Sequence, residues 1–205
     1  MGVSHITPEA NSEILRQISG FYPTPATVVD MMLARLAPLQ FGQSALEPSA
    51  GRGDIADRLQ AHIDSVTVVE PHPVLAELLV AKGYSPIVGK FEDYVPHRQF
   101  DRIAMNPPFA RGLDMEHVRR AFSMLAFGGV LVALMNDGTQ AGDSTREQRA
   151  SFEDWVCAEP LISKFEVERI SSSLLLTSEN LRPSHIPVKL FTLHKRGTEA
   201  VADGL

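Results

Sequence analysis

The chain has 205 residues and a formal net charge of −6, with 44% hydrophobic and 21% charged residues. That is the size and composition of one globular domain with a full apolar core, and its acidity excludes a protein that coats nucleic acid through bulk electrostatics, because phosphate binding leaves a basic footprint. No apolar run approaches the roughly 20 residues of a membrane span and the first residues lack the regions of a signal peptide, so a cytoplasmic protein without membrane contact is expected.

In chain order, the first predicted helix runs from Pro25 to Leu36, preceded by Phe21-Tyr22-Pro23-Thr24-Pro25. Apolar runs of strand length then recur at Ala45 to Glu47, Val66 to Glu70, Pro86 to Val88, Phe100 to Met105 and Val130 to Met135. The segments between them, Asp54 to Ile63, Pro73 to Lys82 and Met115 to Phe127, carry helical periodicity, and the last stops at Gly128-Gly129. Alternating βα units predict a parallel sheet covered on both faces. Asn136 to Arg149, polar and rich in Gly, Ser and Thr, reads as a mobile loop, followed by a helix from about Glu147 to Ala158. Phe165 to Ile170 and Val188 to His194 lack an intervening helix, and their connection through Ser171 to Pro187 predicts an antiparallel pair at the sheet edge. The expected class is α/β: a doubly wound, seven-stranded, mostly parallel sheet with an antiparallel edge hairpin. No repeat or linker divides the chain, so residues 1–205 are expected to form one domain.

Four stretches carry chemistry. Glu47-Pro48-Ser49-Ala50-Gly51-Arg52-Gly53-Asp54 lies between the first strand and its helix. Gly51 and Gly53 permit close backbone approach, and Asp54 suits a helix start. Such a turn holds a nucleotide-like ligand or simply reverses the chain. It is no P-loop, since no Gly-Lys-Ser/Thr follows, and it departs from G-x-G-x-x-G. Glu70 ends the second strand about 20 residues on, where an acid reaches ribose hydroxyls in doubly wound folds. Asp93, within Gly89-Lys90-Phe91-Glu92-Asp93-Tyr94, reads equally as an acceptor for an adenine amine or as a surface turn acid. Asn106-Pro107-Pro108-Phe109 ends the fourth strand. Two prolines continue neither a central strand nor a helix, so free carbonyls and the Asn106 amide oxygen can cradle an NH₂ group while Phe109 offers a flat face. The alternative is a plain turn with Phe109 plugging the core.

Together these stretches resemble class I S-adenosylmethionine-dependent methyltransferases, and more closely the N6-adenine DNA methyltransferases. The resemblance implies a Rossmann-like fold over most of the chain. It implies a methionine-binding loop at Glu47, Pro48, Ser49, Ala50, Gly51 and Gly53, and a ribose-binding acid at Glu70 followed by Pro71. Asp93 with Tyr94 would hold the cofactor adenine. Tyr22, Thr24 and Pro25, within residues 1–40, would belong to a segment that closes over the methionyl carboxylate, ahead of a core at 41–205. Asn106, Pro107, Pro108 and Phe109 would form the catalytic turn, with Asn106 also beside the cofactor. The implied reaction is methyl transfer from S-adenosylmethionine to adenine N6 in DNA, the base being flipped and stacked on Phe109. The same turn occurs in enzymes that methylate RNA guanine N2 or protein glutamine, so an RNA or protein substrate stays open, as does a noncatalytic module that binds cofactor or nucleic acid.

Arg111, Arg119 and Arg120 follow the turn and are expected near the substrate entrance, with Arg182 and His185 as further substrate contacts. His185 is the only ring from Thr177 to Pro187, where the family commonly places an aromatic residue. No separate target-recognition domain fits, so specificity is expected to be short, relaxed or supplied by a partner. His72, His117 and His194 read as surface or structural residues. Cys157 is the single cysteine, without metal-ligand spacing; it reads as a buried helix residue, and no metal is expected.

Overall fold

The computed structural model describes residues 15–18, 20–138, 143–175 and 186–198. Helix α1 (Ala26–Leu36) precedes strand β1 (Ser44–Glu47), followed by α2 (Asp54–Gln60), β2 (Ser65–Glu70), α3 (Pro73–Ala81) and β3 (Ile87–Val88). After a 3₁₀ turn at Phe91–Asp93 come β4 (Phe100–Met105), a second 3₁₀ turn at Ala110–Gly112, α4 (Leu113–Met124) and β5 (Leu125–Asn136). The chain continues through α5 (Asp143–Ala158), β6 (Ile162–Ile170), the four-residue α6 (Ser172–Leu175) and β7 (Val188–Lys195). The seven strands form one sheet in the order β3-β2-β1-β4-β5-β7-β6. β1 to β5 are parallel, and β7 runs antiparallel to both β5 and β6. The expected fold class is the one observed.

The strands are apolar on both sides because each face has its own core. Along β4 and β5, Ile103, Met105, Leu131, Ala133 and Met135 pack on α4 and α5, against Val118, Phe122, Phe152 and Val156. Their neighbours Ala104, Val130, Val132 and Leu134 point the other way, onto Val28, Met32, Leu36, Ile55 and Leu59 of α1 and α2. A period of two thus divides one continuous apolar run between two cores. The buried Arg102 breaks that run, and its guanidinium donates to the carbonyls of Leu36, Pro38 and Asp101. These acceptors include a carbonyl at the end of α1, whose helix supplies no further N–H partner for it.

Four sequence expectations are corrected. The helix expected to reach Phe127 stops at Met124, and Leu125 already pairs with Phe100. Buried Lys195 on β7 donates to the Leu125 carbonyl at 2.6 Å and reaches that of Phe122 at 3.5 Å, so a side chain distant in sequence ends the helix. Gly128 and Gly129 then mark a bulge in β5: the register shifts between Phe100 and Arg102, and a Cβ on Gly129 would stand 2.8 Å from the Ala126 carbonyl oxygen. Second, Asn136 to Arg149 is not one loop, since β5 extends through Asn136 and α5 begins at Asp143; residues 139–142 lie outside the described residues. Third, α6 stands between the edge strands where no helix was expected. Cys157, expected buried, is exposed. Among the described residues no helix is long and apolar enough to cross a membrane.

Candidate active site

Strand order reverses between β1 and β4, and in open α/β sheets ligands lie outside the carboxyl ends of the strands at that point. The Glu47 and Asn106 turns both leave there.

The β1 turn is held by its own backbone. Ala50 N–H donates to the Val69 carbonyl at 3.0 Å, and Gly53 N–H to that of Ala50 at 2.8 Å. Gly51 (φ 57°) donates its N–H to Glu70 Oε2 at 2.7 Å, while His72 N–H donates to Glu70 Oε1 at 2.8 Å. One carboxylate therefore ties the end of β2 to the glycine turn, and each oxygen retains a lone pair for a ligand hydroxyl. Burial raises the Glu70 pKa against the pull of these two amides. Above Gly51 lies the ring of Phe21, whose Cε2 would stand 2.9 Å from an added Cβ, so the N-terminal segment covers the turn. Glu47 is 2% exposed, and burial pushes its carboxyl well above the usual range, with Asp54, Asp57 and Glu70 adding repulsion. Its Oε2 is buried without a hydrogen-bond partner among the described residues. An orphaned buried acceptor at the end of the first strand is the group that a cationic or N–H-bearing ligand satisfies.

The β4 turn is held from a distance. The Asn106 amide nitrogen donates to the Tyr22 carbonyl and to Thr24 Oγ1, both at 3.1 Å. A backbone carbonyl only accepts, so it selects the NH₂ end of the amide and leaves Oδ1 as the acceptor directed elsewhere. Pro107 is buried and Pro108 exposed. Phe109 combines both readings given to it, being half-buried against the α1 and α2 core while part of its ring stays accessible. Arg111 (φ 56°, ψ 27°) is the non-glycine residue in the left-handed region among the described residues, and its side chain is exposed.

Support for this turn includes residues that the sequence reading missed. Asp114, 1% exposed in the first turn of α4, accepts from Asn136 N–H at 3.2 Å and feels the Arg149 charge; burial raises its pKa. Gln148 of α5 packs on Gly112, where a Cβ would lie 2.5 Å from Oε1, and the Arg149 guanidinium fills the space over Gly138. The only local signal was an acid near the start of a helix that follows the Asn106 turn.

The other expected residues divide. Asp93 is exposed in its 3₁₀ turn, and β3 is tied to Glu70 by Gly89 N–H donating to the Glu70 carbonyl at 3.3 Å. Tyr94 is buried with a hydroxyl that has no partner among the described residues, Pro48 and Ala50 are buried, Ser49 is half-buried, and Pro71 is exposed. Arg119 and Arg120 are engaged within the chain. Arg120 donates to the carbonyls of Phe91 and Tyr94 at 3.0 and 2.7 Å, and Arg119 donates to that of Ser151 at 2.5 Å with its guanidinium over Trp155. Their long side chains satisfy α4-side carbonyls and aromatic faces. His117, also on α4, is buried edge-on to Phe91, with Nε2 3.5 Å from Glu92, and burial lowers its pKa. Arg182 and His185 lie outside the described residues, and among those described no group of three His, Cys, Asp or Glu residues could hold a metal.

The chain matches no family model and no curated protein. Solved structures share its fold. A Listeria monocytogenes protein assigned to the class I S-adenosylmethionine-dependent methyltransferases superposes with a TM-score of 0.63 at 13% identity, over 86% of this chain and 61% of that one. A Pyrococcus horikoshii protein assigned as an RNA methyltransferase gives 0.60 at 19% identity, over 90% and 96%. The plantazolicin methyltransferase BpumL, solved with a desmethyl substrate analogue and S-adenosylhomocysteine, gives 0.55 at 10%, over 83% and 82%. This chain thus spans less than two thirds of the Listeria protein's length. With the strand order and the two turns at its reversal, the likeness establishes that the chain has the Rossmann-like fold of the class I methyltransferases.

Proposed function

We propose that the protein is an S-adenosylmethionine-dependent N-methyltransferase acting on an exocyclic NH₂ group, with adenine N6 in DNA as the foremost substrate. The observation that carries this reading is the Asn106 amide, oriented by Tyr22 and Thr24 so that Oδ1 is left as an acceptor beside Pro107 and Phe109. The glycine turn at Gly51 and Gly53, with Glu47 and Thr24 beside it, would hold the methionyl end of the cofactor; Glu70 would take its ribose, and Asp93 with Tyr94 its adenine. When bound, S-adenosylmethionine supplies an electrophilic methyl group on a sulfonium.

The protein's own part is to prepare the nucleophile. An exocyclic adenine nitrogen is a weak nucleophile because its lone pair is delocalised into the ring. Asn106 Oδ1 and the Pro107 carbonyl accept its two hydrogens and draw the lone pair out of conjugation, a demand that grows towards the transition state. Phe109 stacks on the base and fixes its plane. The methylated nitrogen is cationic and releases its proton readily, so the turn needs no strong base. Arg111 stands on the exposed shoulder of this turn, suited to a substrate phosphate.

An RNA base is the second reading, supported by the RNA methyltransferase assignment of a fold neighbour. The test is transfer of tritiated methyl from S-adenosylmethionine to unmethylated duplex DNA, total RNA and a protein lysate in parallel, followed by digestion and identification of the labelled product. N6-methyladenine in DNA is the expected product. Label in RNA or protein keeps the Asn106 chemistry and replaces the substrate, and cofactor binding without label in any pool defeats the enzymatic reading.

A further inference from the structure

The sheet ends on one side at β6, which pairs with β7 alone among the described residues and leaves its outer edge unpaired by any strand. Open edges are ready templates for another strand and are usually blunted by charge or proline. This one has no proline and carries apolar side chains in the open. Phe165 and Val167 are 48% and 49% exposed on the α5 side of the sheet, where their cross-strand partners are Leu193 and Phe191. On the α1 side, Arg35 binds both Glu166 and Glu168, and Lys164 binds Glu166.

From these features we infer that β6 pairs antiparallel with β6 of a second copy, about a two-fold axis through Glu166 and perpendicular to the sheet. The strand reads Ile162-Ser-Lys-Phe-Glu-Val-Glu-Arg-Ile170, and in this register it complements itself. Phe165 lies opposite the second copy's Val167, and Lys164 opposite Glu168. Directly opposed antiparallel residues share a face, so each match falls on the correct side of the joined sheet. The one like-charge pair, Glu166 on Glu166 at the axis, is neutralised from both sides: two Arg35 and two Lys164 stand against two Glu166 and two Glu168. Moving the axis to Val167 would oppose Glu166 with Glu168 and Lys164 with Ile170, so charge disfavours that register. An isologous contact of this kind closes on itself and generates no fibre. Because the axis reverses strand direction, the two Asn106 turns project from opposite edges of the continuous sheet, and each works on its own substrate.

Sedimentation velocity of the full chain and of three variants tests this. The unmodified protein should sediment as a dimer. Lys164→Glu and Glu168→Lys should each weaken dimerisation at least about tenfold, as like charges come to face each other, and the double variant should restore it, because each swapped residue again meets its opposite. Register is read separately by Glu166→Cys in a Cys157→Ser background, where opposed residues stand about 4.5 to 5.5 Å apart, within disulfide reach; the expected product is a covalent dimer under mild oxidation, with Ser163→Cys in the same background giving none. Circular dichroism of every variant checks the fold, and the cysteine pair decides the matter if a charge reversal unfolds the protein. A monomeric unmodified protein, a dimer indifferent to both reversals, or equal crosslinking at positions 163 and 166 overturns the inference.

Discussion

The turns after β1 and β4 leave neighbouring parallel strands at the same edge of the sheet, yet they are built in opposite ways. The β1 turn uses two positive-φ glycines and satisfies itself locally, through Ala50, Gly53 and the Glu70 carboxylate. The β4 turn has two prolines, a left-handed arginine, and an amide whose orientation depends on Tyr22 and Thr24. The difference teaches a division of labour. A rigid turn with N–H groups and an acid facing inward suits a ligand that must be held in one place. An acceptor-rich turn assembled by a distant segment suits a group whose hydrogens must be taken in one direction, and that segment also roofs Gly51 through Phe21.

The largest test of this division removes the acceptor. Asn106→Ala should lower single-turnover methyl transfer by about 10²-fold or more, the scale for loss of one transition-state hydrogen-bonding group, while calorimetric cofactor affinity changes little. Equal loss of both would mean that the two turns do not divide binding from chemistry. Gly51→Ala should give the converse. A Cβ there meets Phe21 and the backbone is left-handed, at a cost of about 1 to 2 kcal/mol, so cofactor affinity should fall with the N-terminal cover displaced, visible as a raised KM for cofactor and a lower Tm.

Arg111→Gly sharpens the comparison from the side of strain. Glycine occupies φ 56° without the Cβ penalty, so chemical denaturation should show a gain of about 1 kcal/mol together with weaker nucleic-acid substrate binding. A loss of stability would mean that the Arg111 side chain anchors the turn. The smallest effect concerns α4, which links the Asn106 turn to the Phe91–Asp93 turn. Burial depresses the His117 pKa, so its neutral form stabilises the fold above the ordinary histidine range near 6.5, and that contribution is lost as pH falls through the depressed folded value. His117→Leu should therefore flatten the decline of Tm on acidification below about pH 6.5. An unchanged acid limb would place the titrating group elsewhere.

The order of strands and helices was legible because apolar periodicity and Gly-Pro punctuation act over a few residues. The misread places are those where two local signals conflict. Leu125 to Phe127 continue the helical spacing of α4 and are apolar enough to be strand, and Gly128-Gly129 serves equally as a helix stop or a bulge; pairing with β4 and the Lys195 ammonium settle it. The polar start of α5 looks like a loop until Gln148 and Arg149 are seen packing on Gly112 and Gly138.

By itself the sequence determined what each turn is able to be. Two glycines flanking Arg52 permit left-handed backbone, two prolines forbid continued pairing, and Asn106 carries both an acceptor and a donor, all of which are properties of single residues and their immediate neighbours. Only the tertiary structure decided how these capacities are directed. Tyr22 selects which end of the Asn106 amide faces outward across 84 residues of chain, Glu70 reaches back 19 residues to fix Gly51, and Lys195 ends α4 from 70 residues away. A hydrogen bond depends on distance and angle in space, and sequence separation carries neither.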